Sequence, residues 1–522
     1  MSHFLAARSF LKPLLLSYAF IASVSFHRVG YAEDFFSSTS SSVTQEINTI
    51  LTLKKNTLLT RPAFDFRAED VEALYKSNNN ALLWLANAQT EKNINDVFAI
   101  LSNAAAEGLN PEDYSLSTLR QKFPLILLDQ QDSPADLAAY DTAITISVVR
   151  YLHDIHYGRA APHSLNFGIK LRTQKTVNLP ELIKSAIASG NVLQLVASAE
   201  PKLAQYQQLR AALATYRELL VNVQNGHDKK NKAPKLQQRM TKISLAMERL
   251  RWLPELNSEK SIIVNIPAFQ LWGVDSGNDK TVNLKVVVGK AQKNQTPVLM
   301  ADMRFIEFMP YWNVPPSIFQ KEILPKWSSN PGYLASQNME VVWLKNGKMR
   351  IRQRPGGKNA LGRLKFIFPN PYGVYLHDTP SKSLFGRSRR DFSHGCVRVQ
   401  NPDKLARFVL GMQEGWSPER IENALNNSVH SQTTLKTSIP VLFFYSTAFY
   451  EQNDVLAFYE DIYGLDAPLL AALSPVSDLP DSAFITSEMP EKINTPASTP
   501  TPELDDSQLF STPSPVIEPL SP

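Results

Sequence analysis

The sequence predicts an α+β multidomain protein, with an all-α N-terminal part, a mainly-β part and a disordered C-terminal tail. Three observations predict it. Apolar residues recur near every 3.6 positions between 38 and 224. From about Glu259 the pattern changes to short β-branched and aromatic runs separated by Gly, Pro and Asn. From Ser474 onward, 49 residues hold ten of the chain's 35 prolines and few apolar groups. The length of 522 residues fits two to four domains at about 150 residues each. With 43% apolar and 20% charged residues, the body can bury a sizeable core.

At the N-terminus, Arg8 and Lys12 precede the uncharged stretch 13–26, PLLLSYAFIASVSF, and Gly30 and Ala32 stand at −3 and −1 of a cleavage point before Glu33. Residues 1–32 therefore read as a secretory signal peptide, with an uncleaved anchor as the alternative. Either way the body works outside the cytoplasm, and contact with a membrane is peripheral at most. No uncharged apolar run reaches the roughly 20 residues a spanning helix needs.

The helical part spans 38–224, with amphipathic spacing over 71–84 and 94–109, a stop at Gly108 and Pro111, and a mostly apolar, buried helix over 138–158 that ends at Gly158. The stretches 179–189 and 200–224 continue it. His153 and His156 read as packed or surface histidines. The lysine-rich stretch 225–236 reads as a linker, followed by a short helix over 237–253. Runs such as SIIVNIP, VNLKVVVG, DMRFIEFMP, LKFIFPN and GVYLHD predict a β-sandwich-like domain that extends, with a helix at SPERIENALNN, to about Leu473. The tail 474–522 cannot bury enough apolar surface to offset chain entropy.

Net charge is +5, but residues 1–32 carry +3 and the tail −7, which leaves +9 on 33–473. A mildly basic body suits an anionic polymer or acidic peptide. No nucleic-acid motif appears, and nucleic acid is not an expected partner. One cysteine excludes an internal disulfide and a multi-cysteine zinc site, and nothing calls for a metal or organic cofactor.

The chemistry concentrates in 374–399, VYLHDTPSKSLFGRSRRDFSHGCVRV. Cys396 lies two residues after His394 and nineteen after His377. A thiol becomes a strong nucleophile on ionisation, and a neighbouring imidazolium lowers its pKa. His377 closes a strand on which Tyr375 shares its face, well placed to accept the thiol proton and return it to a leaving amine. Gly395 permits unusual backbone angles, so the N–H groups of Gly395 and Cys396 can face a developing oxyanion. Arg398 lies on the same side as Cys396 in a regular strand, and its guanidinium suits a carboxylate. Arg387, Arg389 and Arg390 read either as a gatherer of acidic substrate or as a solvated basic loop. A small buried apolar residue is the competing reading of Cys396.

SHGCVRV (393–399) with LHD (376–378) resembles the active-site signature of L,D-transpeptidases with the YkuD-type catalytic domain. ERLRWLP (248–254), VVVGKAQKNQTPV (286–298), PYWNVPPSI (310–318), RQRPGGKNALGRLKFIFPN (352–370) and YLHDTPSKSLF (375–385) are similar to blocks of the large periplasmic YcbB-like members of Gram-negative bacteria. GLNPEDY (108–114) and RYLHDIHYGRAAP (150–162) resemble their N-terminal scaffold.

The resemblance implies Cys396 as acylated nucleophile and His377 as general base and acid. His394 and Gly395 would shape the oxyanion site, and Ser393 and Arg398 would support the loop and the substrate carboxylate. Tyr372, Trp312 and Asn313 would line the groove, with core packing as the alternative. It implies a catalytic domain over 237–473 with a capping subdomain within about 316–392. The implied partners are peptidoglycan stem peptides, as donor tetrapeptide and acceptor amine, and carbapenem-type acylating inhibitors. The implied activity is cleavage of the L,D bond with release of D-Ala and formation of 3→3 cross-links in the periplasm. L,D-carboxypeptidase or hydrolase action through the same thioester, and a non-catalytic wall-binding scaffold, are the alternatives. The chain departs from large members in having only 225–236 where they usually carry a helical peptidoglycan-binding module.

Overall fold

The computed structural model describes residues 32–473 apart from 87–88, 129–132, 166–176, 225–228, 255–258, 279, 345 and 452–454. The signal-peptide reading, except Ala32, and the tail 474–522 lie outside the described residues.

The N-terminal part is helical, built around the helix Pro134–Tyr157. Ser133 caps it by accepting the Asp136 N–H, and Gly158 at φ 84 ends it. From Ala138 to Ile155 nearly every residue is buried, as its largely apolar sequence requires. Shorter helices surround it and share a core of Ile47, Leu74, Trp84, Leu101, Ile144 and Leu152. The helix expected over 71–84 stops at Lys76. Asn79 and Asn80 break it at φ 54, and Asp141 then captures the N–H groups of Leu83, Trp84 and Leu85 at 2.8–3.0 Å.

The stretch read as a linker is largely helix: Lys229–Arg251 is one continuous helix beside Ala204–Gln224. Both pack on the β part. Tyr206, Leu209 and Leu213 share a core with Ile243, Leu250, Ile262 and Leu442. Residues 204–224 thus join the second core rather than the first, because their apolar stripe at helical spacing meets the barrel-side helix.

The β part is not a sandwich. Its main strands are β1 (Lys260–Asn265), β2 (Gln270–Asp275), β3 (Lys280–Gly289), β4 (Leu299–Phe308), β5 (Trp312–Asn313), β6 (Met339–Trp343), β7 (Met349–Gln353), β8 (Leu364–Ile367), β9 (Leu376–His377), β10 (Asp391–Ser393), β11 (Val397–Val399) and β12 (Ser431–Phe444). One sheet runs β10-β3-β11-β9-β8-β4-β12-β1-β2, and an added β2–β3 pairing closes all but β10 into a ring. Closure removes the exposed edges a sandwich would keep. Alternate residues, among them Leu364, Phe366, Leu376, Val397 and Val399, point into the enclosed core.

A separate small unit interrupts the barrel between β4 and β8. The sheet β5-β7-β6 and short helical turns at 316–336 enclose Trp312, Val314, Ile318, Ile323, Leu334, Met339, Ile351 and Leu361. Tyr375 packs against both this unit and the barrel. Of the range 316–392 expected to hold a capping subdomain, the small unit takes the part up to Leu361, and β8, β9 and β10 pair in the barrel sheet.

Candidate active site

Ser393-His394-Gly395-Cys396 forms a tight loop between β10 and β11. Ser393 Oγ donates to Cys396 O at 2.6 Å and accepts from the Gly395 N–H at 3.2 Å. Gly395 sits at φ 112, a conformation that side-chain-bearing residues rarely adopt. Cys396 is 3% exposed. The Val397 N–H donates to Tyr375 O at 3.1 Å, which fixes the loop's exit beside β9.

Strand register then assembles a polar row on the face opposite the barrel core. Arg398 pairs with His377, His377 with Lys365, and Lys365 with Glu307. Lys365 Nζ lies 3.5 Å from Glu307 Oε2 and 4.6 Å above the Tyr375 ring. Tyr375 meets His377 edge-on at 5.6 Å between centroids.

His377 Nδ1 contacts Asp378 O at 2.5 Å. A carbonyl only accepts, so Nδ1 carries the proton and Nε2 keeps its lone pair. That carbonyl is held in place from the side chain of the same residue. The Asp378 carboxylate accepts the N–H of Arg363 at 2.9 Å and of Thr379 at 2.7 Å, and takes Lys382 Nζ.

The electrostatics overturn one expectation. Burial pushes the Cys396 thiol up to about 12. Burial, with Arg398 adding to it, pushes His377 down to about 3. Burial and then Lys290 push His394 down to about 3 as well. In each case burial is the largest cause and favours the neutral group. His394 Nδ1 is buried without a hydrogen-bond partner among the described residues.

The structure thus brings Cys396, His377, Ser393, Gly395 and Arg398 together, with His394 in the same loop. It does not bring Trp312 to a groove: at 2% exposure Trp312 is core of the small unit. Asn313 is exposed beside it, paired with Arg352. Tyr372 is 44% exposed on the turn at 370–373, and none of its described contacts reaches Cys396 or His377. Arg389 is paired with Asp391 and Glu460, and Arg390 donates to the Val286 and Phe269 carbonyls. These two are fixed structure rather than free substrate collectors, and Arg387 lies over the Phe392 ring.

Sequence reasoning missed Lys365 and Glu307, and gave Tyr375 only the face it shares with His377. Their only signal was alternation within LKFIF, RFIEF and VYLH, which assigns a face but not a neighbour. It also missed Thr296, which donates to Gly395 O at 2.8 Å.

Cys396, in the loop that enters β11, and His377, on the neighbouring β9, are the residue types that nucleophilic acyl transfer uses. Among the described residues no group of three or more His, Cys, Asp or Glu could hold a metal ion.

Comparison with known proteins finds two family models and a relative. Residues 259–437 match the L,D-transpeptidase catalytic domain family, YkuD, and residues 69–213 match a scaffold domain. A protein of Haemophilus influenzae named "Putative L,D-transpeptidase" is 27% identical over 413 residues, covering 75% of this chain and 77% of its own length.

Proposed function

Starting from the L,D-transpeptidase catalytic domain that the chain carries over 259–437, we propose that the protein is a periplasmic peptidoglycan L,D-transpeptidase whose nucleophile is Cys396. The observation that carries this reading is the register of β9 against β11. It sets His377 beside Arg398, two residues from the chain's only cysteine.

Nε2 of His377 takes the thiol proton as Sγ attacks the carbonyl of the L,D bond in a donor stem tetrapeptide. The charge that develops on that carbonyl oxygen faces the Cys396 N–H. The Gly395 N–H is already engaged by Ser393 Oγ. Collapse breaks the C–N bond, His377 returns the proton to the leaving D-Ala amine, and a thioester remains on Cys396. The side-chain amine of a second stem then attacks the thioester. Its proton passes to His377 and back to Sγ, which gives a 3→3 cross-link. The thioester conserves the energy of the cleaved bond, so no nucleotide is consumed. Burial that favours a neutral thiol and a neutral imidazole suits a sequence in which the proton leaves Sγ only as it attacks. Arg398 is the group best placed to meet a stem carboxylate.

Incubation with purified disaccharide-tetrapeptide tests the proposal. We expect cross-linked dimers and D-Ala in equal amounts by liquid chromatography and mass spectrometry. Tripeptide and D-Ala without dimers would instead establish a carboxypeptidase acting through the same thioester.

A further inference from the structure

The Cys396 loop is held from outside by a chain of hydroxyl groups. Thr296, 2% exposed, stands at the end of the loop that follows β3. Its Oγ1 donates to Gly395 O at 2.8 Å and accepts the Gly289 N–H at 2.9 Å. Tyr463 locks the same loop from the far end of the chain: its OH donates to Gly289 O at 2.7 Å and accepts the Thr296 N–H at 3.1 Å. Tyr463 is itself fixed, since its N–H donates to Tyr445 OH at 2.9 Å. The two ends of the loop approach so closely that a Cβ at Gly289 would lie 1.9 Å from Asn294 O.

The peptide between Gly395 and Cys396 is planar and trans, so its C=O and N–H point in opposite directions. Whatever fixes the Gly395 carbonyl therefore fixes the Cys396 N–H. We propose that Thr296, braced by Tyr463, is a positioning residue that aims the Cys396 N–H at the oxyanion formed when Cys396 is acylated. Tyr463 lies beyond the matched region 259–437, so the segment after β12 contributes to the reaction it does not touch.

The inference rests on Cys396 as nucleophile, and the test separates the two claims. Acylation passes through a tetrahedral oxyanion, whereas alkylation by iodoacetamide displaces iodide without one. Thr296→Val keeps the shape and removes the hydroxyl, and Thr296→Ser restores it. With one cysteine in the chain, intact-mass kinetics report Cys396 alone. We expect meropenem to acylate Thr296→Val at least about 10-fold more slowly than the native protein, as weakening one oxyanion donor does. Alkylation should stay within about 2-fold, and Thr296→Ser should recover most of the acylation rate. Tyr463→Phe should show the same split to a smaller degree, and it carries the test if Thr296→Val does not fold. Equal acylation of native and variant protein, or acylation and alkylation falling together, would overturn the positioning role. A native protein that is alkylated but never acylated would instead sink the assignment of Cys396 as nucleophile.

Discussion

Two buried polar clusters in this chain are built on opposite plans. At the junction of the helical part and the barrel, Glu107, Tyr206, Arg210, Glu248 and Arg251 match one another. Arg251 meets Glu248 at 2.8 Å and Tyr206 at 2.9 Å, Tyr206 OH donates to Glu107 at 2.7 Å, and Arg210 reaches Glu107 at 2.6 Å. The other Glu248 oxygen accepts the N–H groups of Arg159 and Ala160. Burial alone would lower the Arg251 pKa, but Tyr206, Glu248 and Glu107 outweigh it and raise it. Around Cys396 the same burial outweighs the opposite charges of Lys365 and Arg398. The thiol is driven neutral, both imidazoles are driven neutral, and His394 Nδ1 has no described partner. Matched charge makes a joint between two bodies, whereas unmatched polar groups in a dry pocket await a substrate that completes them.

The widest separation between the two clusters should come from Cys396→Ala. All cross-linking should disappear, because without Sγ no thioester forms, while the melting temperature should stay within about 2 °C of the native value, as removal of one small buried group from a domain of this size allows. Retained product formation would place the nucleophile elsewhere and erase the contrast.

Arg251→Met should behave in the reverse manner. It leaves Glu248 and part of Glu107 buried without a counter-charge, a change that costs about 3–5 kcal/mol. Denaturant unfolding followed by circular dichroism should show that loss, with meropenem acylation per folded molecule unaltered. A variant as stable as the native chain would mean that the junction cluster does not hold the two parts together.

The same contrast explains what the sequence made legible. Cys396, His377 and Arg398 could be picked out because each carries its chemistry in its own residue type and lies near the others in sequence. The ring closure, the Lys365–Glu307 pairing and the reach of Tyr463 to Gly289 depend on which strands become neighbours, and alternation does not encode that. Trp312 misled for a related reason: an aromatic next to a polar residue fits a groove or a core equally, and the small unit's own core claimed it. The stretch 229–236 misled because its lysines look solvated, yet a helix exposes such residues on one face while Ala233 is buried on the other.

The finest test concerns protonation. A thiol pushed up to about 12 is scarcely ionised at neutral pH. Its alkylation rate should rise about tenfold per pH unit from pH 6 to 9 without levelling, whereas an ordinary cysteine near 8.5 bends over by pH 9. A plateau already present below pH 7 would reveal a standing thiolate–imidazolium pair. Linkage gives the same contrast in stability. His377, lowered to about 3, stays neutral in the folded chain while its unfolded counterpart gains a proton, so stability is lost as pH falls from about 6.5 toward 3. Cys396 keeps its proton in the folded chain above pH 9, where the unfolded thiol ionises, so stability is lost again as pH rises from about 9 toward 12. Cys396→Ala should lessen the loss between about pH 9 and 10, below the range in which buried tyrosines such as Tyr140, Tyr151 and Tyr463 add their own, and leave the acid loss unchanged. An unchanged loss between about pH 9 and 10 would mean that the thiol is not a group that burial holds neutral.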